Sequence, residues 1–185
     1  MKKVFLMLAV MMVSMSAMAQ VQFGVKAGFD MTNFWGSDTK HGMQPNYQIG
    51  ALMEYKFNDK FAISPEVVFA AQGGKFNHMT YNVNYINVPV LAKYYVTPAF
   101  AIDLGPQLGI NVYSKQTLDV GSTKSTIDAK DNTKAIDFGI GVGGTYNLTE
   151  HAFLQARYTF GLTSVYDGGG DCKNGNIQIA FGWKF

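Results

Sequence analysis

Hydrophobic and polar residues alternate along most of the chain. The first such run pairs the apolar residues Val21, Phe23, Val25, Ala27, Phe29 and Met31 with Gln22, Gly24, Lys26, Gly28 and Asp30. Because successive side chains of a strand point to opposite faces, this period of two predicts a β-strand with one apolar and one polar face. The alternation recurs in eight segments, at residues 21–31, 47–57, 61–71, 85–95, 100–112, 135–146, 152–162 and 176–185. Their lengths are close to the roughly 9 to 11 residues of a tilted transmembrane strand.

The connections between these segments alternate between short and long. The short ones are residues 58–60, 96–99 and 147–150, and the long ones are residues 32–46, 72–84, 114–134 and 163–175. Outer-membrane barrels have short periplasmic turns and longer extracellular loops. The pattern therefore predicts an all-β protein, an eight-stranded antiparallel up-and-down transmembrane barrel with both termini in the periplasm. The longest loop is polar, and we expect it to be solvated.

The first 19 residues have the features of a cleavable signal peptide. Lys2 and Lys3 precede an uncharged stretch that ends in an A-x-A site at residues 17–19. The stretch is shorter than the roughly 20 apolar residues of a spanning helix, which disfavours an uncleaved membrane anchor. We therefore predict a signal peptide over residues 1–19 and one barrel domain over residues 20–185, located in the cell outer membrane.

The charged residues of the polar face decide which face points inward. They are Lys26, Asp30, Glu54, Lys56, Glu66, Lys93, Asp103, Asp137, Arg157 and Lys184. Lipid could not accept these charges, whereas the five basic and five acidic groups could neutralise one another in a narrow lumen. We predict that all of them except Asp30 form a structural ionic network. A soluble lipocalin-like barrel with an apolar interior is the alternative fold.

The carboxyl-terminal segment has the features of a closing strand. Its apolar residues Ile177, Ile179, Phe181, Trp183 and Phe185 lie on one face. We expect this strand to pair with the strand from Val21, and we take Phe181, Trp183 and Phe185 as a candidate assembly signal. A girdle of interfacial aromatic residues is expected at the periplasmic rim, formed by Tyr55, Phe57, Phe61, Tyr94, Phe100, Tyr146, Trp183 and Phe185.

Three prolines lie inside predicted strands and oppose the barrel interpretation. Pro65, Pro89 and Pro106 have no amide donor, and a closed barrel offers no free edge to accommodate them. We expect β-bulges or widened strand pairing at these positions.

Several motifs resemble the porin-T-like outer-membrane β-barrel family of the Bacteroidetes. They are YINVPVLAKYY at residues 85–95, GPQLG at 105–109, ARYTFGL at 156–162, GWKF at 182–185, and Pro65-Glu66 followed by Gln72-Gly73. The family pattern keeps proline at the three strand positions. The resemblance covers essentially the whole mature chain and implies an eight-stranded barrel of the OmpA/OmpX-like kind. Its motifs transfer no catalytic residue.

The composition of the chain limits the classes of partner and ligand that we expect. Removing Lys2 and Lys3 from a chain of formal charge +2 leaves it near neutral, so no nucleic-acid partner is expected. The single cysteine, Cys172, cannot form an intramolecular disulfide, and its role stays open. No pattern predicts a cofactor or a metal site. The expected partners are outer-membrane lipid, the barrel-assembly machinery and, as a candidate, another envelope protein.

For function, the sequence favours a non-enzymatic scaffold that presents extracellular loops to a ligand, a surface or an envelope partner. One alternative is a lipid- or peptide-hydrolysing barrel that uses His41, with Ser37 or Asp38, or His78. His151 falls at a periplasmic turn, away from that rim. A narrow small-solute channel is the other alternative, although eight strands enclose an interior that side chains largely fill.

Overall fold

The computed structural model describes residues 20–35, 44–76, 79–120, 123–128, 135–164 and 173–185. In these ranges the strands are β1 (Val21–Trp35), β2 (Gln44–Lys56), β3 (Phe61–Phe76), β4 (Met79–Tyr95), β5 (Phe100–Val120), β6 (Thr123–Asp128), β7 (Ile136–Asn147), β8 (Ala152–Ser164) and β9 (Lys173–Lys184). No helix in this part of the chain is long and apolar enough to span a membrane. The predicted signal peptide and Cys172 lie outside the described residues.

Eight of the strands close into an antiparallel barrel. Neighbours follow one another in the order β4, β3, β2, β1, β9, β8, β7 and β5, and β5 pairs back with β4. The seam joins the two ends of the chain, from Gly24 opposite Lys184 to Trp35 opposite Lys173. The predicted eight-stranded closed barrel is confirmed, and closure satisfies backbone groups that lipid cannot.

At one end of the barrel the strands run further than the alternating segments. β3 extends to Phe76 and β4 starts at Met79, so most of the predicted loop at 72–84 is a paired hairpin. β5 continues to Val120 and pairs with β6, which lies inside the predicted loop at 114–134. These two loop predictions were wrong in extent. Outside the membrane neither strand face has to be apolar, so the backbone pairing continues after the hydrophobic alternation stops.

The short links lie together at the other end of the barrel, as predicted. They occupy residues 57–60, 96–99 and 148–151. In the first, the Asn58 side-chain oxygen accepts the backbone N–H groups of Lys60 and Phe61, each at 2.9 Å. Thr97 and Thr149 accept backbone N–H groups in the same way at the other two turns. Such local side-chain bonds stabilise tight turns, and short turns mark the periplasmic end.

The pairing ladder is interrupted at each of the three prolines. On the side of Pro65, Pro89 and Pro106 that faces the preceding strand, two successive residue pairs are absent from the ladder, and the register then resumes unchanged. The described strands therefore accommodate proline by a gap in the ladder without the predicted bulge, because the ring supplies no donor there. Gly105 permits a close approach at one such place: a Cβ atom on it would lie 2.0 Å from the Val90 carbonyl oxygen.

The apolar side chains point outward and the polar ones inward. Ile49, Ile140 and Phe181 are 58%, 41% and 50% exposed. On β9 the exposed apolar residues alternate with buried residues such as Gln178 and Lys184. A lipocalin-like interior would require the opposite arrangement. The predicted aromatic residues near the periplasmic end are exposed, except for the half-buried Tyr55.

Candidate functional site

The lumen contains an outer ionic cluster, formed by Lys26, Glu66 and Arg157. The Lys26 ammonium donates to Glu66 Oε2 at 2.6 Å, and Arg157 Nη2 donates to Glu66 Oε1 at 2.8 Å and to Oε2 at 2.9 Å. The three side chains come from β1, β3 and β8 and are almost completely buried. Gly141 lies beside the Arg157 side chain, and a Cβ atom on it would come 3.1 Å from the Arg157 Cδ atom. The glycine thus leaves room for the guanidinium stem.

An inner ionic cluster lies nearer the periplasm and consists of Glu54, Lys93, Tyr95 and Lys184. The ammonium groups of Lys93 and Lys184 donate to Glu54 Oε2 at 3.1 and 3.0 Å. The Tyr95 hydroxyl donates to Glu54 Oε1 at 2.5 Å. One carboxylate therefore satisfies two cations and a phenol, and the inner cluster carries an excess of positive charge.

Three further side chains connect the two clusters. Thr145 Oγ1 donates to Asp103 Oδ2 at 2.6 Å and accepts from the Lys93 ammonium at 3.3 Å. The Gln155 amide nitrogen donates to the same Asp103 oxygen at 3.1 Å, and its oxygen accepts from Lys26 at 2.8 Å. The result is a continuous hydrogen-bonded chain along the lumen, which we call the lumen network.

The lumen network pairs six of its seven buried charges with an opposite charge, and the seventh, Asp103, accepts hydrogen bonds from Thr145 and Gln155. Its cations are Lys26, Lys93, Arg157 and Lys184, and its carboxylates are Glu54, Glu66 and Asp103. All seven are at most 4% exposed. Buried charges are tolerated when partners satisfy them, and removal of one partner leaves the other stranded. Chemically, this arrangement can fill and stiffen a barrel.

Two residues of the predicted ionic network do not belong to it. Lys56 is half-buried at the periplasmic mouth, with its ammonium 5.0 Å from the centroid of the Tyr95 ring. Asp137 lies near the start of β7 at the extracellular end, where its carboxylate accepts a hydrogen bond from the Thr163 hydroxyl. The two residues point inward like those of the lumen network. They lie beyond the two ends of the network along the barrel axis.

The sequence reasoning missed Tyr95, Thr145 and Gln155. Each has the inward parity of a predicted residue: Tyr95 follows Lys93 by two positions, and Gln155 precedes Arg157 by two. Selecting only charged residues removed them, although parity would have found them. The same parity places Phe153 in the lumen, where it is completely buried.

Of the predicted candidate enzymatic residues and the histidines, the structure describes only His151. Ser37, Asp38, His41 and His78 lie outside the described residues, so the hydrolytic alternative stays a prediction. His151 is exposed at a periplasmic turn, with Nδ1 2.9 Å from the Lys184 carbonyl oxygen. Its ring stacks on that of Trp183 with 5.5 Å between centroids. Among the described residues, no group of three or more His, Cys, Asp or Glu side chains could hold a metal ion.

Known proteins share this architecture. A family model described as "Outer membrane protein beta-barrel domain" matches residues 14–167. The crystal structure of Neisserial surface protein A is similar with a TM-score of 0.60 and 16% sequence identity, covering 88% of this chain and 97% of that chain. Ail, the attachment invasion locus protein of Yersinia pestis, is similar with a TM-score of 0.58 and 14% identity, covering 90% of this chain and 99% of Ail. At these identities the likeness shows the fold alone. No curated protein sequence matches the chain.

Proposed function

From the premise that this chain belongs to the outer membrane protein β-barrel domain family, we propose that it is a non-enzymatic scaffold. It spans the outer membrane with its apolar face against lipid. In the proposed role, its extracellular loops contact a ligand, another surface or an envelope partner. The barrel supplies a rigid support for those loops.

The observation that carries this proposal is the lumen network. Its side chains connect β1, β2, β3, β4, β5, β7, β8 and β9 by hydrogen bonds through the barrel interior. A filled interior leaves little space for a permeating solute. Contact with other molecules then falls to the two ends of the barrel and the loops.

We place the chain, within its family, among the porin-T-like barrels of the Bacteroidetes. The motifs at residues 85–95, 105–109 and 156–162 and the carboxyl-terminal GWKF support this finer placement. The barrel-assembly machinery is the second proposed partner. Phe181, Trp183 and Phe185, which are exposed on one face of the closing strand, are the proposed assembly signal.

Loop replacement combined with affinity capture tests the scaffold proposal. Residues 36–43 and 165–172, which connect β1 to β2 and β8 to β9, are replaced in separate variants by glycine–serine segments of equal length. A matched control replaces the periplasmic turn at residues 57–60. Each protein is captured from gently solubilised outer membrane, and co-purifying components are identified by mass spectrometry.

We expect a component that the wild type captures to be lost from at least one loop variant and retained by the turn control. Heat-modifiable electrophoretic migration shows that each barrel is folded. The scaffold proposal fails if the wild type captures nothing above an unrelated eight-stranded barrel, or if every variant captures the same components equally.

A second experiment tests the hydrolytic alternative. Lipase and peptidase activities of the wild type, H41A and H78A are compared, and an activity that either substitution abolishes would favour the enzyme.

A further inference from the structure

A polar cavity opens at the periplasmic end of the barrel, below the lumen network. Its volume is about 400 Å³. The cavity lies between the turns at residues 96–99 and 148–151, and the ends of β1, β2, β7 and β9 contribute to its wall. Pockets for small ligands in proteins have volumes of roughly 300 to 1,000 Å³. The cavity is therefore large enough for a short peptide.

The cavity wall contains an ammonium group that has no ion-pair partner among the described residues. Lys56 lines the cavity and forms no ion pair with any residue that the structure describes. Lys184 also lines it, but shares the single Glu54 carboxylate with Lys93. Glu150, the carboxylate in the same lining, is exposed to solvent and forms no ion pair with Lys56, so the Lys56 ammonium can attract an anion.

The remaining polar groups of the cavity suit a peptide. Gln22 presents a side-chain amide that can both donate and accept hydrogen bonds. Asn147 contributes a second amide, whose oxygen accepts from the Lys184 ammonium at 3.4 Å, and the Thr149 hydroxyl accepts two backbone N–H groups and can donate to a ligand. Glu150, an exposed carboxylate in the same lining, can accept N–H groups. A peptide end carries a carboxylate beside amide donors and acceptors, which is the complement of this set.

We propose that the cavity at the periplasmic mouth, with the ammonium of Lys56 and the amides of Gln22 and Asn147 in its wall, binds the carboxylate end of a peptide. Lys56 pairs with the carboxylate, and the two amides pair with the adjacent peptide group. A free short peptide and the carboxyl-terminal end of a periplasmic protein share this chemistry. The site gives the barrel a periplasmic contact that is independent of its extracellular loops.

Titration of the refolded, full mature barrel in detergent micelles tests the site. The probe is N-acetyl-alanyl-alanine, and its carboxamide analogue is the matched ligand control. Binding is followed by NMR through the side-chain amide signals of Gln22 and Asn147. We expect saturable shifts with the carboxylate and at least about fivefold weaker binding of the carboxamide, because the charge-assisted hydrogen bond is lost.

Two variants locate the effect. K56Q should weaken carboxylate binding by a similar factor, whereas K60Q, which removes an exposed lysine outside the cavity, should leave it unchanged. If K56Q does not fold, the comparison of the carboxylate and carboxamide ligands on the wild-type protein still tests the proposal. The proposal is wrong if the Gln22 and Asn147 signals do not saturate, if both ligands bind equally, or if K60Q weakens binding as much as K56Q.

A carrier arm distinguishes the two sources of the peptide end. The same two alanines are placed at the carboxyl terminus of a folded soluble protein. Binding of this fusion and of the free peptide supports the end of a periplasmic protein as an occupant. Binding of the free peptide alone supports a small peptide, and binding of neither overturns the site.

Discussion

Glu66 accepts three hydrogen bonds from two cations, and the outer ionic cluster depends on it. Arg157 supplies two of these bonds through one nitrogen, Nη2, and Lys26 supplies the third. The three side chains are buried, so bulk water does not solvate them in the intact barrel. The loss of one partner in such a site costs more than the pair contributes to the stability of the intact barrel.

We predict that Arg157→Ala lowers the free energy of unfolding by about 3 to 5 kcal/mol, because it leaves the buried Glu66 carboxylate with Lys26 as its one remaining cation. Urea denaturation in detergent micelles measures the change. Lys60→Ala, in an exposed periplasmic turn, is the control and should change stability by less than about 0.5 kcal/mol.

A double variant adds a check on the mechanism. If the cost arises from a stranded charge, replacing Arg157 and Glu66 together should recover part of the stability that R157A loses. An R157A protein as stable as the wild type would contradict a structural role for the outer cluster.

The pairing of β8 with β9 depends on a close contact between Phe153 and Gly182. They are direct cross-strand partners, and the ring of the completely buried Phe153 lies over the glycine. A Cβ atom on Gly182 would come 2.1 Å from Phe153 Cζ. The glycine therefore makes the space in which the ring packs.

We predict that Gly182→Ala destabilises the barrel by about 1 to 3 kcal/mol, the usual cost of overpacking a filled interior. Adding Phe153→Leu should relieve the clash, so that the double variant is more stable than G182A alone. Denaturation midpoints in the same detergent measure both effects. If G182A matches the wild type, the ring can move aside and the contact does not constrain the two strands.

The closing strand also carries the proposed assembly signal. The Phe185 side chain is 67% exposed, while its backbone N–H donates to the Phe23 carbonyl oxygen at 2.7 Å. Phe185→Ala retains the backbone bond and removes only the exposed ring. We expect less folded protein in the outer membrane of expressing cells, with unchanged denaturation of the purified, refolded barrel.

Cell fractionation and heat-modifiable electrophoresis measure the amount of folded F185A protein. The matched control is Phe57→Ala, which removes another exposed aromatic ring at the same end of the barrel. Equal losses in the two variants would indicate a general effect of the aromatic girdle and would exclude a specific signal at Phe185.

At the scale of the whole molecule, the lumen network predicts that the barrel does not conduct. Eight strands enclose an interior that side chains can fill, whereas aqueous porins use roughly 16 to 18 strands. Reconstituted in planar bilayers, the wild type should show no steady ionic conductance. Large, steady conductance steps would favour the small-solute channel over the plugged scaffold.

The period-two alternation of the sequence determined the number of barrel strands, the closing strand and the face directed to lipid. These properties are local, because a strand in lipid must expose one apolar face. The short turns can be recognised from the small number of residues between two alternating segments. Alternation did not reveal the extracellular ends of β3, β4 and β5. Water solvates both faces of the strands at that end, so the paired residues show no alternation of hydrophobic and polar side chains in the sequence.

Only the tertiary structure decided which lumen residues meet. Parity showed that Lys56, Lys93 and Lys184 point to the polar side of their strands, but it did not give their positions along the barrel axis. Those positions depend on the tilt of the strands and on the stagger accumulated around the closed sheet. Contacts such as Lys26 with Glu66 or Lys93 with Thr145 join residues on non-adjacent strands and exist only once the barrel has closed.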